Sequence, residues 1–104
     1  MIANLALAAA LAASAPALSP DTRYDPAIPT LEQVTGHAVG ASISTPAQMA
    51  AYVEALAEAA PDRTELVTYA TSEEGRPLHL LAIGSPERMG RIQEVKAGLS
   101  RLAD

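Results

Sequence analysis

Two histidines, a pair of adjacent glutamates and a scatter of serines are the side chains of this 104-residue chain whose types can do chemistry. A hydrolytic metal site needs protein ligands converging on one ion, typically two His and one Glu, with an open position for water. His37 is followed by Ala-Val-Gly-Ala and His79 by Leu-Leu-Ala-Ile, so neither has a Glu three or four residues downstream. Both are expected to be structural, His79 as a strand residue facing solvent or a polar partner. Glu73 and Glu74 could divide acid and base work only if two different environments pushed their pKa values apart, and adjacent turn residues are equally wet. They read as a solvated turn with Arg76 as ion partner. No serine lies in a Gly-x-Ser-x-Gly elbow, and the glycines form no phosphate-cradling loop. No catalytic, cofactor-binding or metal-ligating residue is assigned, and the chain by itself is expected to bind no zinc.

The elements that hold these residues come from a small amount of material. A chain of this length makes one small domain at most. Its first twenty residues carry no Asp, Glu, Lys or Arg, and residues 2–13 are small or apolar apart from Asn4. This reads as a secretory h-region, too short to span a bilayer, and Ala-Pro-Ala at 15–17 supplies small residues for cleavage. The expected signal peptide is 1–17, although its first residues carry no Lys or Arg, and the mature product is expected to be secreted or periplasmic. Seven basic against twelve acidic residues leave a net charge of −5, which disfavours nucleic acid and offers no polybasic patch to a membrane. Cysteine is absent, so no disulfide compensates for a thin core and no thiol serves as nucleophile or ligand. Much of the 49% hydrophobic content is alanine, and Phe and Trp are missing. Such a core is marginal alone.

Residues 16–29 carry four prolines and favour extended backbone, an arm or linker. Thr30-Leu-Glu-Gln33 has capping-box spacing with Gly36 as a stop, which predicts a short helical turn. Residues 37–44 show no period and read as loop. Thr45-Pro-Ala-Gln48 repeats the capping pattern with Pro at the first helical position; Met49, Val53, Leu56 and Ala60 continue at helical spacing until Pro61. Residues 65–71 and 78–83 read as strands joined by a turn in which Gly75 takes a positive φ and Pro77 opens the second strand. The run 78–83 is apolar on both faces apart from His79, which predicts burial on both sides. Ser85-Pro-Glu87 starts a last helix whose stripe is Met89, Ile92, Val95, Leu99 and Leu102; Gly90 and Gly98 weaken it by about 1 kcal/mol each relative to Ala. That helix is expected to lie on the sheet. There is no internal repeat.

Helix, strand, a Ser-Glu-Glu-Gly-Arg-Pro turn at 72–77 and a second apolar strand resemble the opening of the catalytic domain in the M14 (carboxypeptidase A-like) zinc metallocarboxypeptidases. Tyr24-Asp-Pro26, the run Ile-Pro-Thr-Leu-Glu-Gln-Val at 28–34 and Gly36-His37 also resemble the first segment of bacterial secreted members. The resemblance covers about 24–104. It implies an α/β fold, a helix-strand-strand-helix fragment of a mixed-sheet domain: 18–44 an N-terminal arm with a short helix, 45–104 the N-terminal part of the catalytic domain. It implies an exopeptidase that removes C-terminal residues from peptide or protein substrates. Zinc would be held by a His-x-x-Glu pair and a later His, with a distant Glu as base and Arg residues on the substrate carboxylate. No position here matches those motifs, and the chain stops at Asp104 before the first of them, so it is expected to be inactive by itself. Arg76 belongs to the turn and takes no substrate role. The rival expectation is a small secreted α/β module that binds a protein or ligand without chemistry.

Overall fold

The structure is a computed structural model and describes residues 19–103. The signal peptide expected at 1–17 lies outside the described residues. Six elements follow in order: α1 (Leu31–Thr35), α2 (Pro46–Ala59), β1 (Thr64–Thr71), β2 (Pro77–Ile83), α3 (Pro86–Gly90) and α4 (Ile92–Ala103). The described residues ahead of α1, 19–30, form no helix or strand, and a turn at Asp25-Pro26 is closed by Ala27 N–H donating to Asp25 Oδ1 at 2.9 Å.

Both N-terminal helices start where their sequences say. Thr30 and Thr45 each accept from the amide three residues on, and Gln33 and Gln48 return the bond to the cap amides at 2.8 Å. These reciprocal bonds satisfy donors that a helix start leaves open. Gly36 closes α1 in the left-handed region at φ 83. Pro46 occupies the first turn of α2, where its missing N–H costs nothing. At the other end of α2 the Thr64 hydroxyl donates to Ala60 O at 2.8 Å, so the first residue of β1 satisfies a terminal carbonyl of the helix before it.

β1 and β2 form an antiparallel hairpin that pairs Thr64 with Ile83, Leu66 with Leu81 and Thr68 with His79. The register then shifts between Thr68 and Ala70, a bulge that leaves Tyr69 outside the pairing, 63% exposed. The turn is organised by Ser72. Its amide donates to Arg76 O, its carbonyl accepts from Gly75 N–H and its hydroxyl accepts from Arg76 N–H. Gly75 takes φ 79, the left-handed conformation that an L side chain resists.

Alternation along the strands gives the hairpin two faces. Thr64 and Ile83 line a small cavity with Leu56 and Ala60, which sets α2 over one face; α4 reaches the β1 residue next in line through Lys96 and Glu65, 2.6 Å apart. The result is a sheet fragment with helices belonging to both sides. It has no sealed interior: among the described residues no side chain is fully buried.

Two expectations are corrected here. β2 is not buried on both faces, since Leu78, Leu80 and Ile83 are 38%, 53% and 68% exposed. A two-stranded sheet offers its strands one neighbour each, and the single well-packed helix covers only one side. The last helix is not continuous. Gly90 ends α3, Arg91 adopts φ −112 and ψ 19, and its amide turns back to Arg88 O at 3.0 Å before α4 begins. Gly90 brings the low helix propensity that permits the break, and the Arg91 guanidinium clasps Glu94 at 2.7 Å across it. The α4 stripe is not packed down either, with Leu99 61% and Leu102 85% exposed.

Gly84, between β2 and α3, is the one glycine that a side chain would crowd. A Cβ there would stand 3.1 Å from Met89 Sδ.

Candidate functional site

His37 stands in the loop between α1 and α2, and that loop fixes both of its ring nitrogens. Nδ1 lies 3.2 Å from Ala38 O, and a carbonyl only accepts, so Nδ1 carries a proton. In the neutral ring Nε2 then accepts from the Ser44 hydroxyl at 3.1 Å. The bond closes the loop just ahead of the Thr45 cap. Sequence reading missed it, because a separation of seven residues in a segment without period carries no signal.

His79 is on β2 directly across from Thr68, whose Oγ1 lies 3.0 Å from Nδ1. This is the polar partner expected for it. Its Nε2 is shielded from solvent and has no partner.

The paired glutamates behave as turn residues. Glu74 meets Arg76 at 2.9 Å with both side chains well exposed, and Glu73 is exposed beside it. An ion pair so wet contributes up to about 1 kcal/mol. Both carboxylates stand in water, and neither has the burial that would set it apart as an acid.

Zinc can be tested against the donor set itself. Among the described residues no group of three or more His, Cys, Asp or Glu side chains comes together as an ion would need. His37 has both nitrogens engaged, and His79 offers one buried atom with no converging partner. The described residues do not fit a catalytic zinc.

A cavity of about 570 Å³ lies between the arm, α1 and α2. Ile28, Leu31, Val39 and Tyr52 give it an apolar lining, with Arg23 and Arg63 at its walls. Neither histidine lines it, so it brings none of the residues above together.

The geometry defines a class before it defines a site: a hairpin with a Gly-set turn, carried between a doubly capped helix and a broken one. Residues 49–99, from the first turn of α2 to the third turn of α4, match the family model Peptidase_M14, zinc carboxypeptidase. That part of the chain belongs to the zinc carboxypeptidase family. Comparison with curated proteins and with solved structures gave no match.

Proposed function

We propose that this chain contributes the N-terminal part of a zinc metallocarboxypeptidase acting outside the cytoplasm on the C-terminal residues of peptides, and that it supplies framework to that domain and none of its catalytic groups. The family match across 49–99 is the observation that carries this reading. Its matched elements are α2, the hairpin, α3 and most of α4, all of them framework here. The arm and short helix at 18–44 precede the domain proper, 45–104 opens it, and 1–17 directs export. Zinc and the peptide substrate are then held by residues other than those described. Nucleic acid and membrane surfaces are not partners of the exported product, in keeping with its acidic balance.

The test compares the chain with the product of whatever coding sequence continues past Asp104. C-terminal amino-acid release that a chelator abolishes is expected from the longer product only. Calorimetric titration of the chain alone with Zn²⁺ is expected to show no tight site. Chelator-sensitive release by the chain itself, lost on changing His37 or His79 to Ala, would overturn the assignment of both to structure.

The cavity beside Arg23 and Arg63 favours the second reading, a non-catalytic binding module. A stop codon directly after Asp104, with no peptidase activity recovered from any longer product, would select it.

A further inference from the structure

Charges of both signs line the cavity between the arm, α1 and α2: Arg23 and Asp25 from the arm, Glu32 from the first turn of α1 and Arg63 from the corner between α2 and β1. None of them pairs with another, since the ion pairs of the described residues are Arg76 with Glu74, Arg91 with Glu94 and Lys96 with Glu65. Asp25 gives one oxygen to the Ala27 amide at 2.9 Å. The Glu32 carboxylate and both guanidinium groups have no partner among the described residues. Beside these charges lie the half-buried Ile28, Leu31 and Tyr52 and the more exposed Val39.

The walls are held in place by bonds already described. Ala38 and Val39 belong to the loop that His37 closes, with Nδ1–H on Ala38 O and Nε2 on the Ser44 hydroxyl. The two capping boxes fix where α1 and α2 begin. A smaller cavity of about 130 Å³, bounded by Leu56, Ala60 and Ile83, shares Ile28 and Arg63 with the larger one, so apolar lining continues past Arg63. Of the residues around the larger cavity only Tyr52 and Arg63 lie within 49–99, so the arm, α1 and the loop after it supply most of the wall from ahead of the family match.

We infer that this cavity binds a short apolar peptide whose two ends are free, with the carboxylate on Arg63 and Arg23, the ammonium on Glu32 and Asp25, and the side chains on Ile28, Leu31, Val39 and Tyr52. Charge complementarity selects this ligand. A purely apolar molecule would draw four charges out of water with nothing to meet them, and a simple anion would meet Glu32 and Asp25 as well as the arginines. A zwitterion with an apolar body gives each charge its opposite and covers the apolar lining.

A guanidinium can take a carboxylate through two parallel hydrogen bonds, which suits a free C-terminus better than an amide. The volume falls in the range of small-ligand sites, roughly 300–1,000 Å³. The lining holds no histidine or cysteine, so the peptide is bound and left intact. The inference rests on the cavity and is independent of the family reading.

Calorimetric titration of the full chain with trileucine tests the site, beside trileucine amidated at its C-terminus, acetylated at its N-terminus, or blocked at both ends. Saturable binding of trileucine is expected, at least about threefold weaker when either end is blocked and weaker again when both are. Trialanine should bind at least about tenfold more weakly than trileucine, and added salt should weaken the free peptide more than the doubly blocked one. Arg63→Gln should remove most of the preference for a free carboxylate while keeping that for a free ammonium, and Glu32→Gln should do the reverse, a crossed pattern that a general loss of structure cannot produce. Absence of saturable binding overturns the inference, as does equal affinity for the free and doubly blocked peptides on the unaltered chain. Binding whose end preferences both variants leave unchanged places the peptide elsewhere and overturns it too.

Discussion

The half of the molecule from α1 to β2 and the half from α3 to α4 begin with similar signals and end differently. α2 starts on a capping box with Pro at the first turn and runs unbroken to Ala59. α3 starts on Ser85, also with Pro at the first turn, and stops at Gly90. The difference lies in support. α2 rests on α1 and on the hairpin, and Val53 and Leu56 are half-buried there; the stripe of α4 faces water for most of its length. A cap decides where a helix begins, and packing decides whether it survives a weak residue in its interior.

The largest test is whether the better-supported half amounts to a folded domain by itself. With no fully buried side chain among the described residues, the isolated chain should melt without a sharp transition; a cooperative monomeric transition well above about 45 °C would erase the contrast between the halves and count against the fragment reading. Next is the turn on which α2's platform depends. Gly75→Val forces a β-branched residue to φ 79 and should cost about 1–3 kcal/mol, measured as a shift in denaturant midpoint in the longest soluble product. No atom stands within 4 Å of the added Cβ, so the cost is one of backbone conformation alone. A neutral result would mean that the turn can take another geometry.

The caps sharpen the comparison between helices. Thr45→Ala should cost about 1 kcal/mol, because it removes the hydroxyl that accepts from Gln48 N–H and leaves only the return bond from its own amide; Ser85→Ala should cost less, since α3 is short and already ends at Gly90. Equal losses would show that α3 and α4 act as one supported helix. Gly90→Ala tests the break directly. The site is roomy and its φ is not positive, so the substitution should gain up to about 1 kcal/mol and add helical signal in circular dichroism. The smallest effect belongs to Lys96→Ala. Its pair with Glu65 is half-exposed, and after solvent screening the loss should stay below about 1 kcal/mol and shrink with salt.

What could be read from the residues were the features written in local chemistry. Both capping boxes, Gly36, the strands, Gly75 and Pro77 each follow from the preference of one or two residues for a particular backbone. The bulge at Thr68–Ala70 was not readable, because Thr, Tyr and Ala suit a regular strand as well as a displaced one. The helix break was half readable. Gly90 was recognised as a weak point, but whether a weak point becomes an interruption depends on neighbours that sequence spacing does not display. The expected burial of β2 failed for a related reason: an apolar run records what a strand is suited to, and the exposure of Leu80 and Ile83 records what the described residues place against it. Of the candidate site, the structural standing of Arg76 was legible in the turn motif, whereas the His37–Ser44 bond joins two loop residues that only the folded backbone brings together.

Gly84 gives the C-terminal half its direction. The chain leaves β2 and enters α3 around a point where the Met89 thioether lies against bare backbone, so the corner is filled by a side chain that can change shape. A methyl group there would ask Met89 to yield by a few tenths of an ångström, which an unbranched thioether chain can do by rotating. The corner therefore admits a small side chain only where Met89 gives up its place against the backbone.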